Sequence, residues 1–162
     1  MLVYKGNLQP LRGNGKGDKK LAIRQWPQMG FKQIDADYSG RKGSSRLNRV
    51  EAEQIAEWLK NSFEFIVNAY PKEEIKNLVG IITPFKAQVK CIEAELRRNI
   101  PSLWNKISVG TVHTFQGAER IIIILSTVYG SKDGCFFIDA NKILRNVAVS
   151  VIRITFFVFG DF

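Results

Sequence analysis

Cysteine, long apolar runs and processing signals are scarce in this sequence, and each scarcity excludes a class of protein. The chain of 162 residues has 2 cysteines, and Cys91 and Cys135 form no C-x-x-C pair, which argues against a zinc site or a disulfide framework. The nearly apolar run over residues 147–159 is too short to span a bilayer. No early apolar segment ends in a small-residue cleavage site, so we also expect no secretory signal. We expect a soluble cytoplasmic protein with reduced cysteines, no metal site and no membrane partner.

Acidic residues are also in deficit, and the excess positive charge points to a polyanionic partner. The chain carries 24 Lys and Arg against 15 Asp and Glu, which gives a formal net charge of +9. The excess is concentrated at the start, where seven basic residues precede Asp35 and Asp18 is the single acid among them. Such a distribution is typical of a surface that tracks phosphates. For the basic start of the chain itself, we prefer a solvated, partly disordered segment to a specific surface of this kind.

Residues 1–30 hold no nucleotide-binding loop, although they are rich in glycine and lysine. Residues 13–20 read Gly-Asn-Gly-Lys-Gly-Asp-Lys-Lys, which does not fit the G-x-x-x-x-G-K-[ST] pattern of a P-loop. No buried strand precedes this segment, and the density of glycine and proline favours loop over a packed element. We therefore predict a basic lead-in of loop structure over residues 1–30 and one domain over residues 31–162.

Short apolar runs and amphipathic helical patterns alternate through the rest of the chain. The predicted strands lie at residues 31–38, 78–82, up to 112, 121–125, 136–139 and 154–159. Two long helices are predicted from Asn48 and from Thr83, and a turn at 129–134 and a short helix at 141–150 complete the order. Alternation of this kind means right-handed crossovers. The predicted fold class is α/β, with a mostly parallel sheet flanked by helices.

Asn48 and Thr83 carry the start signals of the two predicted long helices. Asn48 is a good N-cap, and Glu51 lies three residues on, where its carboxylate is expected to accept the N–H of Asn48 in a capping box. Thr83 is predicted to cap the second helix, with Pro84 at its first position. Trp58 flanks the apolar stripe of the first helix, and we prefer a core position for it to a base-stacking role.

The stretch over residues 107–127 joins two β-branched apolar runs through a polar turn. Runs of this kind are typical of strands in a parallel sheet that is covered on both faces. Between them are crowded donors, an acceptor and a flexible glycine, namely His113, Thr114, Gln116, Gly117 and Glu119. Because ligands of open α/β sheets bind just past the carboxyl ends of the strands, we predict that these residues converge on one site there.

Four blocks of the sequence carry motifs in a fixed order. Residues 45–52 read S-R-L-N-R-V-E-A and residues 79–88 read V-G-I-I-T-P-F-K-A-Q. Residues 110–119 read G-T-V-H-T-F-Q-G-A-E, and residues 146–150 read N-V-A-V-S before a strand into Gly160-Asp161. In this order they resemble the S-x-x-N-x-x-E-A helix start and motifs IV, V and VI of the second RecA-like domain of superfamily 1 helicases, in the Upf1-like and Dna2-like group. The resemblance spans residues 31–161 and implies a three-layer RecA-like fold.

The resemblance implies roles for the residues of motif V. Gly117 and Glu119 would face a nucleotide bound between two RecA-like domains, and a glycine permits a close approach that a Cβ would block. Thr111, His113 and Gln116 would lie nearer a nucleic-acid strand. For His113, contact with the strand is preferred to structural capping and to a role as general base.

Motif IV adds Thr83, Pro84 and Gln88 as candidates for contact with the strand. Small polar side chains hold phosphates without demanding a sequence. Such contacts do not distinguish DNA from RNA, so both single-stranded partners are retained. For Gln88, an exposed helical glutamine without a function is the alternative.

Two departures from the family pattern bear on catalysis. The family places an arginine directly after the Ser or Thr of motif VI, where it reaches the transferred phosphate, and here that position is Val151. Losing such an arginine costs about 10³ to 10⁵ in rate, so an active enzyme would need a neighbouring arginine in its place. Arg145 and Arg153 are the candidate substitutes. The chain also has neither a P-loop nor a Walker B acid pair. We expect ATP and Mg²⁺ to bind in a complete two-domain enzyme and this chain alone to be inactive.

The leading hypothesis is the C-terminal motor domain of an ATP-dependent superfamily 1 helicase acting on DNA or RNA. Its partners would be a single strand and the first RecA-like domain, which would complete the ATP site. The alternative is a catalytically inactive nucleic-acid-binding module derived from such a domain. A third interpretation, an α/β scaffold for another phosphate ligand, is disfavoured by motif V.

Overall fold

A six-stranded sheet and two α-helices make up the described part of the chain. The computed structural model describes residues 9–10, 29–35, 47–115, 119–128 and 152–160. The strands are β1 Gln9–Pro10, β2 Met29–Gln33, β3 Val79–Ile82, β4 Ser108–Gly110, β5 Arg120–Ser126 and β6 Ile152–Gly160. The helices are α1 Arg49–Ala69 and α2 Lys86–Asn99, and short 3₁₀ turns span Ile75–Asn77, Trp104–Lys106 and Val112–Phe115.

Five of the six strands run parallel, in the spatial order β1-β2-β6-β5-β3-β4. The exception is β1, which pairs with β2 in the antiparallel sense at one edge. All residues of β3 are buried, and so are those of β5 after Arg120. Burial along the whole strand is typical of parallel strands covered on both faces. The mostly parallel α/β sheet of a RecA-like domain, predicted from the sequence, is confirmed.

Both helices lie on one face of the sheet, and the turn after β4 lies on the other face. Side chains of α1 and α2, such as Ile55 and Leu96, form the larger core against one face. The connection from β3 to its neighbour β4 runs through α2 on this face, and the chain then turns back past β3 to reach β5. A right-handed crossover in the reverse direction uses the other face. Phe115 accordingly joins a second core there, with Ile82 and Ile123.

Gly80 allows the returning chain to cross β3 at close range. A Cβ at position 80 would lie 2.6 Å from Cε1 of Phe115 and 3.1 Å from Cγ of Arg120. Carbon atoms in contact are normally about 3.5 to 4.0 Å apart. Because Phe115 is 1% exposed and packed on all sides, its ring has little room to yield. Position 80 therefore requires glycine for the crossing to close.

The start of α1 and the position of Trp58 agree with the sequence predictions. The side chain of Asn48 accepts the N–H of Glu51 at 3.1 Å, which confirms the N-cap. The Trp58 ring makes edge-to-face contacts with Phe157 and Phe159, at centroid distances of 5.4 and 6.3 Å. The core position of Trp58 is confirmed as well. Neither described helix has the length and apolar character that a membrane span needs.

The predicted start of α2 is wrong by two residues. The helix begins at Lys86 rather than Pro84, and Phe85 occupies the N-cap position without a side-chain hydrogen bond. The N–H of Thr83 instead donates to the carbonyl of Gly110 at 3.1 Å, so pairing with β4 continues past the end of β3. The residue before a proline also favours extended backbone, which keeps Thr83 out of the helix.

Several predicted strands also have different bounds. The strand predicted at residues 31–38 is β2, at Met29–Gln33, because parallel pairing with β6 fixes its register from Met29 opposite Phe156. Two strands therefore enter residues 1–30, which were predicted as loop. The strand expected to reach Val112 ends at Gly110, where the 3₁₀ turn follows. The elements predicted over residues 129–150 lie outside the described residues.

We predict that Gly80→Ala destabilises the chain by about 1 to 3 kcal/mol, because the added methyl overpacks the space held by the Phe115 ring. Urea unfolding of the two proteins measures the loss. The matched control is Phe115→Leu combined with Gly80→Ala, in which the smaller side chain admits the methyl. The combined loss should fall short of the sum of the single losses, and strict additivity would contradict the crossing described for these residues.

Candidate functional site

Three neighbouring parallel strands are each followed by a threonine at the carboxyl edge of the sheet. Thr127 follows β5, Thr83 follows β3 and Thr111 follows β4. Adjacent strands are about 4.8 Å apart, so the three residues form a row. Thr83 is 0% exposed and Thr127 is 6% exposed, whereas Thr111 is half-buried. Thr111 therefore presents the most accessible hydroxyl of the row.

Thr83 and Pro84 begin the connection to α2 but differ in accessibility. Pro84 is half-buried at this edge. The Oγ1 atom of Thr83 is buried and has no hydrogen-bond partner within the described part of the chain. An unbonded buried hydroxyl costs about 1 to 3 kcal/mol. For Thr83 to contact a nucleic-acid strand, as predicted, the residues that bury its side chain would have to move.

The motif V turn at Val112–Phe115 is held between the sheet edge and the second core. The N–H of Thr114 donates to the carbonyl of Thr111 at 3.0 Å, which closes the turn. A Cβ at Gly110 would lie 2.8 Å from three atoms of the Thr114 side chain, so glycine admits this close approach. The hydroxyls of Thr111 and Thr114 lie 3.5 Å apart, and Thr114 is exposed. With Phe115 buried below them, two hydroxyls are fixed at the surface.

Glu119 and Arg120 lie at the opposite, amino edge, where β5 begins. The exposed Glu119 directly precedes the strand. The guanidinium of Arg120 donates to the Glu119 carbonyl at 2.9 Å and to Oγ of Ser108, the first residue of β4, at 3.0 Å. It lies 5.8 Å from the Phe115 ring centre, and burial lowers the pKa of Arg120. Arg120 thus links the start of β5 to the start of β4.

Glu119 therefore lies away from the site predicted at the carboxyl edge, while Gln116 and Gly117, which were predicted to share that site, lie outside the described residues. Thr111 follows the carboxyl end of β4, while Glu119 precedes the amino end of β5. The cause is the crossover, because the chain must return along the second face before it can enter a parallel strand. Arg120 pairs with Ile152 in the neighbouring β6, and Val151 precedes Ile152 in the chain. Two of the three positions implied to act at the nucleotide, 119 and 151, thus directly precede two residues that pair with each other, Arg120 and Ile152.

Gln88 is enclosed in a hydrogen-bonded cluster rather than exposed on α2. Its side chain is 0% exposed, so the exposed-glutamine alternative is wrong. Its Oε1 accepts the N–H of Asn48 at 2.9 Å, and its Nε2 donates to the Asn48 carbonyl and to Oγ of Ser126, both at 3.0 Å. Because its side-chain amide bonds to Asn48 and Ser126 inside the protein, we assign Gln88 a structural role in place of the predicted contact with a nucleic-acid strand.

Glu51 does not complete the predicted capping box, because Gln88 accepts the Asn48 N–H in its place. The Glu51 carboxylate turns instead to the end of β5. Its Oε1 accepts the hydroxyl of Ser126 at 2.5 Å and the N–H of Val128 at 3.2 Å. Asn48 also donates its amide Nδ2 to the carbonyl of Asp35 at 3.0 Å. The first turns of both helices and the exits of β2 and β5 are thereby joined.

Val128 is the non-glycine residue with a positive φ, 65°, among the described residues. A β-branched residue in this left-handed region is a steric outlier. Conformations of this kind cost about 1 to 3 kcal/mol and persist where the surroundings impose them. The bond to Glu51 is one such constraint.

The roles of Ser126, Arg120 and Val128 were not predicted from the sequence. No local pattern marks them, since each acts through a partner distant in sequence, such as Glu51 for Ser126 and Val128. The signal for Glu51 was present in the S-x-x-N-x-x-E-A block but was assigned to the wrong partner.

The remaining predicted site residues keep their predicted roles as proposals. His113 lies in the 3₁₀ turn by its backbone, and Arg153 lies within β6. Outside the described residues lie Gln116, Gly117, Arg145 and Val151. Within the described ranges, no group of three His, Cys, Asp or Glu is arranged to hold a metal ion.

Comparison with known proteins identifies relatives of this chain. The chain is 30% identical over 140 residues to the "Regulator of nonsense transcripts 1 homolog" of Arabidopsis thaliana, covering 83% of this chain and 10% of that protein. It is 30% identical over 131 residues to "Helicase sen1" of Schizosaccharomyces pombe, covering 77% of this chain and 8% of that protein. It is 34% identical over 121 residues to "RNA helicase Mov10l1" of Homo sapiens, covering 70% and 9%. The chain thus spans 8 to 10% of these relatives.

A family model described as an AAA domain matches residues 1–162, the whole of the chain. The match agrees with the RecA-like sheet, and the relatives agree with the order of the four sequence blocks. The chain therefore belongs to the AAA domain family and is an Upf1-like superfamily 1 helicase domain.

Proposed function

We propose that this chain is the C-terminal motor domain of an ATP-dependent helicase, supplying half of an interdomain ATP site and part of the track for a single strand. The observation that carries the proposal is the surface pair of hydroxyls, Thr111 and Thr114, fixed at the carboxyl edge of the parallel sheet. This edge is where open α/β sheets bind their ligands. Neutral hydroxyls suit phosphates of any base sequence.

The nucleotide half-site is assigned to the amino edge of β5 and β6. The exposed Glu119 suits hydrogen bonding to a sugar hydroxyl, and Arg120 fixes its backbone from behind. Gly117 remains the expected point of close approach. When bound with Mg²⁺, ATP supplies the transferable phosphoryl group. With the strand at one edge and the nucleotide at the other, the crossover between Thr111 and Glu119 links the two functions.

The partners follow from the same assignment. The first RecA-like domain would supply the P-loop and the Walker B acids, and the basic surplus would add affinity for single-stranded DNA or RNA. The cytoplasmic location expected from the sequence stays a prediction.

We predict that Thr111→Val together with Thr114→Val lowers the affinity for a single strand about tenfold, because each hydroxyl loses a bond to a charged phosphate oxygen. Fluorescence anisotropy with a labelled oligonucleotide measures the change at fixed salt. Ser102→Ala is the matched control, as it removes an exposed hydroxyl after α2, at the other edge of the sheet. Equal affinities for the double variant and the control would contradict the placement of the strand.

A second prediction concerns the missing arginine of motif VI. In a protein that joins this chain to a P-loop-bearing first domain, Val151→Arg should raise kcat for ATP at least about tenfold, since an arginine reaching the transferred phosphate is worth about 10³ to 10⁵. Val151→Lys is the control, because it adds charge without the planar fork.

An unchanged turnover in Val151→Arg would mean that another arginine, such as Arg145 or Arg153, already serves the site. If neither the joined protein nor its Val151→Arg variant hydrolyses ATP, but both still bind single-stranded nucleic acid in a salt-sensitive way, the inactive nucleic-acid-binding module would be favoured. Val151 is the specific observation in favour of that alternative.

A further inference from the structure

The left-handed backbone of Val128 sits in the middle of the carboxyl edge. Val128 comes two residues after Ser126, the last residue of β5, and β5 lies between β3 and β6. Its φ of 65° belongs to a region that valine rarely adopts, whereas glycine adopts it freely. The backbone conformation at Val128 therefore depends on neighbours that hold this residue in place.

One neighbour is the first turn of α1. The Oε1 atom of Glu51 accepts the N–H of Val128 at 3.2 Å and the hydroxyl of Ser126 at 2.5 Å. Glu51 is 1% exposed, so this carboxylate is removed from water. Gln88 donates to the same Ser126 hydroxyl, which leaves that hydroxyl's proton for Glu51. The geometry fixes the carboxylate oxygen relative to both residues.

The other neighbour is the end of β6. The N–H of Thr127 donates to the carbonyl of Phe159 at 3.1 Å, and its hydroxyl donates to the same carbonyl at 3.4 Å. Gly160 leaves the space that the Thr127 side chain fills, because a Cβ there would collide with the hydroxyl. Thr127 is thus held from one side, and the bond to Glu51 holds the N–H of Val128 from the other.

We infer that Glu51 is a positioning residue, whose carboxylate imposes the left-handed turn at Val128 and so fixes the exit of β5, next to Thr127, at the edge proposed to bind a nucleic-acid strand. The inference rests on the proposed function for the claim that this edge binds a strand. Loss of the carboxylate would let Val128 relax to its ordinary backbone conformation. The apparent affinity for a strand would then fall by the fraction of molecules that keep the competent turn.

The test combines Glu51→Ala with a rescue by Val128→Gly. Glu51→Ala should weaken single-strand binding about tenfold, as expected if about a tenth of the molecules keep the turn. The double variant Glu51→Ala with Val128→Gly should recover binding to within about threefold of the parent, because glycine adopts positive φ without a steric cost. Glu51→Gln should also stay close to the parent, since its amide oxygen still accepts both bonds.

A structural readout separates positioning from general stability. Hydrogen exchange of the Val128 amide, followed by NMR in the full chain, should speed up in Glu51→Ala and stay slow in Glu51→Gln. Ser62→Ala is the matched control, because Ser62 is a buried serine of α1 whose hydroxyl has no hydrogen-bond partner in the described residues. It should leave both binding and Val128 exchange unchanged.

The outcomes distinguish this inference from the proposed function. If the parent chain binds no single strand, the proposed function fails, and the exchange data still decide whether Glu51 holds Val128. If the parent binds but Glu51→Ala binds equally well, or Val128→Gly gives no recovery, the inference is overturned. Should Glu51→Ala not fold, Ser126→Ala with and without Val128→Gly carries the same test, because it removes the hydroxyl that anchors the carboxylate.

Discussion

Five parallel strands can be joined only by crossovers, and this constraint decides where the candidate functional residues lie. A parallel pair needs a connection that returns to the opposite edge of the sheet, and the connection is right-handed. Passing from β3 to β4 through α2 on one face forces the return to β5 onto the other. The return places Phe115 in the second core, requires glycine at position 80, and separates Thr111 from Glu119 by the height of the sheet.

The buried polar cluster around Ser126 supplies hydrogen-bond acceptors at the carboxyl edge, where both helices begin. Helices α1 and α2 both start at the carboxyl edge, where the N–H groups of their first turns need acceptors. Asn48 satisfies one such group of α1, and Gln88 reaches across from α2 to accept the N–H of Asn48 itself. Glu51 is thereby released from capping and bonds to the exit of β5. Local helix chemistry thus becomes a link among three elements.

The sequence predicted what depends on local pattern and failed where distant contacts decide. The apolar run of β5 and the Asn48 cap were predictable, because strand burial and N-capping leave signatures within a few residues. The start of α2 was predicted wrongly, since the pairing of Thr83 with Gly110 is a tertiary contact. The partner of Glu51 was missed for the same reason: Val128 lies 77 residues away. Motif V was recognised, but its division between two edges required the strand order.

The central claim is that the chain is the second half of an ATP-driven motor, and ATPase activity tests it most directly. The measurement is steady-state ATP hydrolysis by a protein that joins this chain to a P-loop-bearing RecA-like domain, with and without a single-stranded oligonucleotide. We predict hydrolysis that the single-stranded oligonucleotide stimulates and that high salt suppresses, because binding of the oligonucleotide releases counterions. Hydrolysis that ignores the strand, or its absence in a protein that still binds the strand, would contradict it.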